Sequence, residues 1–188
     1  MKFQFNVHTN ETDYFEYNKF MLLRSYYGKK MFFMYRILFA LICMVGMLVL
    51  LWNNGFTQGA YIGATLMLLF AIALQLLLAP FLTLTLKSNL KSLKKRGKMA
   101  FSPDSIMEFY EDVFIEIAPT NKTEQSYSVI ERISVVDDKM IYIHVNNIMS
   151  YILPIACFES KEQCDDFFEF IKTKCANIDR YNSKIGGF

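Results

Sequence analysis

The arrangement of hydrophobic and polar positions changes along this chain, and each arrangement predicts a different kind of element. Residues 37–86 form a run of fifty positions without Asp, Glu, Lys, Arg or His. About 20 apolar residues in a helix cross a hydrocarbon core roughly 30 Å thick, so this run is long enough for two crossings. A polar turn at 53–59, with the sequence NNGFTQG, divides the run. We therefore expect a transmembrane hairpin, with helices over residues 31–52 and from about 60 to 82 or beyond.

A buried hairpin in the core of a soluble protein is the alternative explanation of this run. A chain of 188 residues is too short to surround two such apolar helices with protein on every side. The run begins well inside the chain and a second apolar segment follows at once, which is not the layout of a secretory signal peptide. The membrane hairpin is therefore the prediction that we adopt.

Basic residues flank the hairpin on both sides, whereas its turn carries no charge. Four accompany the start of the first helix and six follow the second, namely Arg24, Lys29, Lys30 and Arg36, and then Lys87, Lys91, Lys94, Lys95, Arg96 and Lys98. By the positive-inside rule both termini are cytoplasmic, which predicts a multi-pass protein of the inner membrane. We call the second group the basic collar. It either sets topology alone or also contacts anionic lipid, at about 1 kcal/mol per charge near the surface.

From residue 99 onward the apolar positions alternate with period two, which predicts strands. They are expected over residues 105–110, 112–118, 124–130, 132–136, 140–145 and 148–154, with a loop at 119–123. In the second of these strands Val113, Ile115 and Ile117 share one face, and Phe114 and Glu116 share the other.

A final helix is expected after these strands. Ser160 and Gln163 form a capping box at its start. Its apolar positions follow helical spacing and are Cys164, Phe167, Phe168, Ile171 and Cys175. The order of elements predicts an α+β fold in which one sheet is closed by one amphipathic helix.

The first thirty residues carry two shorter patterns. Lys2 to His8 alternate as a strand, which either joins the C-terminal sheet or lies on the membrane surface. A helix follows to about Tyr27, ending before Gly28. Its apolar face either lies at headgroup level or packs on the C-terminal domain; that face consists of Tyr14, Tyr17, Phe20 and Met21. The chain is thus expected to divide into residues 1–30, a hairpin with the basic collar over 31–98, and a cytoplasmic domain over 99–188.

Charge is unevenly distributed and excludes several classes of function. The formal net charge is +2, but residues 1–98 hold 12 Lys or Arg against 3 Asp or Glu, whereas residues 99–188 hold 8 against 15. An acidic cytoplasmic domain lacks the basic footprint that nucleic acid requires. The same charge disfavours capture of phosphoinositide headgroups, which needs Lys and Arg converging on phosphate oxygens.

No residue pattern points to catalysis, a cofactor, a metal or a small-molecule substrate. Both histidines, His8 and His144, lie in alternating strands, and no nucleotide-binding, zinc-protease, hydrolase or calcium-loop motif occurs. Gln75 is the strongest polar group within the spans, which leaves no evident substrate or proton pathway. The four cysteines show no CxxC spacing and are expected to be small apolar core residues: Cys43, Cys157, Cys164 and Cys175.

Several short segments after the two spans carry a family pattern. They are YSVIERI at 127–133, MIYIH at 140–144, ILPIACF at 152–158 and Glu162 in the closing helix. With them the chain resembles the YcxB-like bacterial membrane proteins over essentially its whole length. The resemblance implies a pleckstrin-homology-like (PH-like) domain, in which a strongly bent sheet is plugged by one C-terminal helix. Tyr127 departs from the pattern, since the family often has Trp there, and the pattern includes no catalytic residues.

These observations predict a non-enzymatic inner-membrane protein whose PH-like domain binds another protein in the cytoplasm. Candidate contacts lie on an edge strand and on the acidic face of the last helix, at Phe114 and Glu116 and at Asp165, Asp166 and Glu169. The alternative is a membrane immunity or stress factor that acts through its hairpin. A third hypothesis makes the basic collar a sensor of anionic lipid. Homo-oligomerisation stays open, since Gly59 and Gly63 have a small-xxx-small spacing.

Overall fold

The chain folds into two compact units. The computed structural model describes residues 1–97, 101–146 and 149–182. One unit joins Met1–Tyr17 to the C-terminal half from Met99 onward, and we call it the sheet unit. The other, Asn18–Lys98, is the hairpin unit. The predicted N-terminal segment of residues 1–30 is therefore divided between the two units, and the expected α+β class, a helical hairpin followed by a sheet domain, is confirmed.

The hairpin unit is built from two long apolar helices. Helix α2 covers Tyr26–Asn53 and helix α3 covers Gln58–Lys95, both long and apolar enough to cross a membrane. In the most apolar stretch of each helix, almost no residue is buried inside the protein. Between them Gly55 and Phe56 adopt positive φ angles of 61° and 56°, which closes the predicted turn. Both predicted helices are confirmed, and α3 continues without interruption into the basic collar.

The start of α2 differs from the prediction. Helix α1, Glu11–Leu23, ends earlier than expected, and Gly28 lies inside the first turn of α2 rather than after a helix. Ser25 separates the helices because its hydroxyl accepts from Gly28 N at 3.0 Å and donates to Met21 O at 2.7 Å. A Cβ on Gly28 would lie 2.1 Å from Met21 O. This glycine permits a close approach of two turns, and it does not terminate a helix.

The sheet unit contains two four-stranded sheets among the residues described. The strands are β1 Phe3–His8, β2 Asp104–Phe109, β3 Val113–Ala118, β4 Asn121–Ser126, β5 Arg132–Val136, β6 Met140–His144, β7 Ser150–Pro154 and β8 Ile178–Tyr181. The first sheet has the order β1-β2-β3-β4 and the second β7-β6-β5-β8. Every neighbouring pair is antiparallel except β5 and β8, which run parallel.

Helix α4, Lys161–Lys174, supplies the centre of the core. Phe167 and Ile171 are fully buried, and they pack with apolar residues from both sheets. The ring of Phe167 lies edge-on to Phe5 and Phe109 at centroid distances of 5.4 and 4.9 Å. Ser160 Oγ accepts from Gln163 N at 3.1 Å, which confirms the predicted start of this helix. The amphipathic C-terminal helix is therefore present as expected, but the described strands form two sheets and not the single sheet that was predicted.

The N-terminal residues resolve the two alternatives left by the sequence. Strand β1 pairs with β2 in the register Phe3↔Phe109, so the N-terminal strand belongs to the sheet unit. The first half of α1 packs on the same unit: Tyr14 stacks on Phe101 with centroids 4.6 Å apart, and Tyr17 lies against Tyr142 at 5.1 Å. These tyrosines are anchors on a protein surface.

Two stretches of the predicted strand pattern are wrong. Strand β4 begins inside the expected loop at 119–123, and the strand expected over 124–130 ends at Ser126, where a 3₁₀ turn over Tyr127–Val129 follows. Tyr127 is held there by a bond from its hydroxyl to Tyr110 O at 2.9 Å, a contact 17 residues distant in sequence. Strand β8 was not expected, because its four residues are too short for a periodic signal. Asn147 and Ile148, at the start of the last predicted strand, lie outside the described residues.

Candidate interaction surfaces

The basic collar occupies the last two turns of α3. Its described members are all exposed: Lys87, Lys91, Lys94, Lys95 and Arg96. Because α3 is one continuous helix, the four lysines at spacings of i, i+4, i+7 and i+8 lie along one side of it. Lys98 lies outside the described residues. Whether this stripe contacts lipid stays a prediction.

The charge difference between the two compact units is larger than the charge difference between residues 1–98 and residues 99–188. Asn18–Lys98 contain eleven Lys or Arg and no Asp or Glu, a formal charge of +11. The remaining residues contain nine Lys or Arg and all 18 Asp or Glu, a formal charge of −9. One unit is therefore purely cationic and strongly apolar, and the other is acidic.

A polar pair links the two helices of the hairpin. Gln75 Nε2 donates to Arg36 O at 3.0 Å, and Arg36 Nη2 donates to Gln75 O at 3.4 Å. The guanidinium of Arg36 also lies over the ring of Phe32, 4.6 Å from its centroid. The one strong polar group that the sequence showed inside the spans is thus used to join α2 and α3, and it is not directed toward a pathway.

The first predicted protein contact is wrong. Phe114 has no exposed surface, since its ring packs on Phe109 and Tyr151 in the core. Strand β3 lies between β2 and β4, so it is not an edge. Glu116 is half-buried, and burial raises the pKa of its carboxyl while a hydrogen bond with Ser105 opposes that shift. The alternation correctly paired Phe114 with Glu116 on one face, but that face is the covered one.

The second predicted contact surface is where the sequence placed it. Asp165, Asp166 and Glu169 are exposed on α4, opposite the buried Phe167 and Ile171. Their acidity leaves this face suited to a basic partner surface. Whether a protein binds here stays a prediction.

The outer edge of β5 is a surface that sequence reasoning missed. Strand β8 lies along it, with the register Ile133↔Ile178 and Val136↔Tyr181. Arg132 Nη1 and Asp179 Oδ2 are 2.5 Å apart across this pair. The sequence gives no periodic signal here, because Ile178, Asp179, Arg180 and Tyr181 are only four residues and do not alternate between apolar and polar.

A shallow depression lies at the end of the first sheet. It has a volume of about 480 Å³ and is lined by Met1, Tyr110, Glu111, Asp112, Val113 and Ile115. Lys2 and Lys174 hold the Glu111 carboxylate at 3.4 and 3.3 Å, and their charges and hydrogen bonds lower its pKa. An open surface of this kind lacks the enclosing walls of a small-molecule site.

His144 is part of a buried polar network in the second sheet. Its Nδ1 lies 2.6 Å from Ser150 Oγ and its Nε2 lies 2.9 Å from Ser134 Oγ. Burial lowers the pKa of His144 to about 4, so the ring is neutral at physiological pH. The residue is a strand residue with both ring nitrogens hydrogen-bonded. Across the part of the chain that the structure describes, no group of three or more His, Cys, Asp or Glu is placed to hold a metal ion.

The cysteines of the sheet unit are packing residues. Cys175 is buried in the core, and Cys157 and Cys164 are partly buried against it. Burial raises the pKa of the Cys157 and Cys164 thiols, which keeps them protonated. The expectation of small apolar core residues is confirmed at these positions.

No protein-family model matches the chain, and no curated protein or solved structure is significantly similar to it.

Proposed function

We propose that this chain is a membrane-anchored protein-interaction module of the YcxB-like type, without enzymatic activity. The hairpin unit lies in the inner membrane of a bacterium with both termini in the cytoplasm, and the sheet unit is a PH-like domain that binds another protein. The observation that carries this proposal is the separation of charge. All 18 acidic residues belong to the sheet unit, and the hairpin unit carries eleven cations.

The dimensions of the hairpin support insertion. Helices α2 and α3 contain 28 and 38 residues. At 1.5 Å per residue they extend over about 42 and 57 Å, more than the roughly 30 Å of a hydrocarbon core. The excess length of α3 carries the basic collar beyond the hydrocarbon. An uncharged turn at the opposite end is easily translocated.

The sheet unit suits binding better than chemistry. Two of its titratable groups with shifted pKa values are already engaged: His144 is bonded to two hydroxyls, and Glu111 is held by two lysines. Its exposed acidic face on α4 is repelled by anionic lipid, which leaves that face available to a basic protein surface.

In-cell crosslinking, followed by purification in mild detergent and mass spectrometry, tests this function. The full chain is compared with a truncated protein. Because β1 and the start of α1 belong to the sheet unit, the truncated protein is the hairpin unit alone, residues 18–98 preceded by a start methionine. A chain cut only after residue 98 would leave β1 without its partner β2. We expect a partner that the full chain captures and the hairpin unit does not.

A full-length charge variant refines the comparison. Replacing Asp165, Asp166 and Glu169 by Asn, Asn and Gln neutralises the acidic face of α4 without touching the core. If the hairpin unit alone retains the same partner, the proposal is wrong and function resides in the membrane spans, as the immunity or stress alternative requires. If the charge variant captures the partner as well as the unmodified chain does, and the hairpin unit alone does not capture it, the proposal stands and the contact lies on another face of the sheet unit.

A further inference from the structure

Strand β8 is a short element that covers the outer edge of β5. It contains four residues, Ile178–Tyr181, and three residues join it to α4. Its partner β5 is a central strand whose other side pairs with β6 over five positions. Without β8, the outer edge of β5 would present unpaired backbone groups, which is a template for the addition of another strand.

Two backbone hydrogen bonds lie at the two ends of the contact between β5 and β8. Ile133 N donates to Asn177 O at 2.9 Å, and Asp137 N donates to Tyr181 O at 2.8 Å. The side chain of Ile178 packs against the apolar core from a partly exposed position. Strand β8 has only four residues and none of them is buried, which places it among the elements that open locally before the whole domain unfolds.

Charged side chains determine which residues the edge accepts. Arg132 pairs with Asp179 at 2.5 Å, and Arg180 lies 3.6 Å from Asp138. The Arg180 guanidinium also lies 5.3 Å from the centroid of the Phe168 ring. The contacts of β8 thus involve an aliphatic residue, an acid and a base in successive positions, followed by the aromatic Tyr181.

We infer that the edge of β5 is a strand-accepting site, filled in this structure by the chain's own β8. The partner in the proposed function, on which this inference rests, is an extended segment of another protein. That segment carries the aliphatic, acidic, basic and aromatic sequence, and it adds parallel to β5 in place of β8. Backbone bonds supply affinity in this mode of recognition, and alternate side chains supply specificity.

Because β8 already occupies the edge of β5, a partner segment must compete with it. A tethered segment competes at an effective concentration on the order of 1 mM for a short linker. A partner is therefore admitted only when it binds the edge better than β8 does, or when β8 is loosened. Weakening one side-chain contact of β8 should raise the affinity for a segment supplied in trans.

A labelled peptide of residues 177–182 tests the site on the full-length chain in detergent. Asp179→Asn in the chain removes the ion pair of β8 with Arg132, whereas the peptide keeps its own Asp179. We expect this variant to bind the peptide at least threefold more tightly than the unmodified chain, by fluorescence anisotropy. Glu124→Gln, which changes an exposed acid on β4 in the other sheet, is the control and should leave the affinity unchanged. A peptide with Ile178→Asp should not bind.

Hydrogen exchange on the same samples shows where the peptide binds. Bound peptide should increase deuterium uptake in residues 178–181 of the chain by tenfold or more and leave β6 unchanged. The inference is overturned if the peptide fails to bind Asp179→Asn at about 1 mM, if affinity is equal in both chains, or if β8 exchanges only together with β6. These results are obtained without a cellular partner, so they are distinct from a failure of the crosslinking experiment.

Discussion

Gln75 and Arg36 exchange two hydrogen bonds between α3 and α2, at 3.0 and 3.4 Å, each from a side chain to the other residue's backbone carbonyl. The pair defines a register between the two helices at this level of the hairpin. A hydrogen bond between membrane helices contributes about 0.6 to 2 kcal/mol. The pair therefore gives the hairpin a defined alignment at modest energetic gain.

Replacing Gln75 by Leu should lower the free energy of hairpin unfolding by about 1 kcal/mol, because the donor to Arg36 O is lost. The measurement is unfolding in mixed micelles with increasing denaturing detergent. Thr85→Val is the control, since the Thr85 hydroxyl donates to Phe81 O within its own helix and makes no interhelical bond among the described residues. Equal unfolding of the two variants would mean that the interhelical pair does not stabilise the hairpin.

Gly28→Ala should disturb the junction between α1 and α2. The added Cβ would lie 2.1 Å from Met21 O, a backbone atom that cannot move aside cheaply. Overpacking of this kind costs about 1–3 kcal/mol. Thermal unfolding and protease sensitivity near residues 23–28 would report the change. Gly59→Ala is the matched control, because nothing lies within 4 Å of its added Cβ; a similar loss there would refute the close-approach explanation.

The sheet unit should lose stability in mild acid through His144. Its pKa is about 4 when folded, against 6.5 ordinarily, so the unfolded chain takes up a proton more readily. Stability from this group is therefore intact above pH 6.5 and falls as the pH drops toward 4. The loss over that window is about 3 kcal/mol.

Denaturant titrations at several pH values measure this loss. His144→Gln keeps an amide able to bond the neighbouring hydroxyls and cannot titrate, so its stability should change less between pH 7 and pH 4.5. His8→Gln is the control, since His8 is exposed and bonds only Asp104 among the contacts described. If the His144 variant follows the same pH dependence as the unmodified chain, other groups cause the acid sensitivity.

Neutralising the basic collar should weaken association with anionic lipid. Each cation near the surface contributes about 1 kcal/mol, and the effect should shrink as salt rises. Replacing the five described members of the collar by Gln is expected to reduce co-purification of anionic lipid in nanodiscs of mixed composition. The control neutralises three exposed lysines of the sheet unit, Lys122, Lys139 and Lys161. The sheet unit, which is cytoplasmic in the proposed orientation, must remain protected from protease added outside the cell, because inverted topology would mimic the loss.

Local patterns in the sequence were enough to predict the elements whose conformation depends on neighbouring residues. A run of fifty uncharged residues predicts α2 and α3, and the break at Gly55 predicts their turn. Ser160 and the spacing of Phe167, Phe168 and Ile171 predict α4, its start and its buried face. In each case residues within one or two turns of one another decide the conformation, so neighbouring positions contain the information.

Tertiary structure alone decided which surfaces are covered and which strands meet. Alternation places Phe114 and Glu116 on one face of β3, but only the packing of Phe109 and Tyr151 makes that face the inner one. The pairing of β1 with β2 and of β8 with β5 joins segments about one hundred and about 45 residues apart, and no local period encodes such partners. The candidate partner surface at β5 was hidden from the sequence for that reason, whereas the acidic face of α4 was visible, since a helix carries both its faces in one continuous segment.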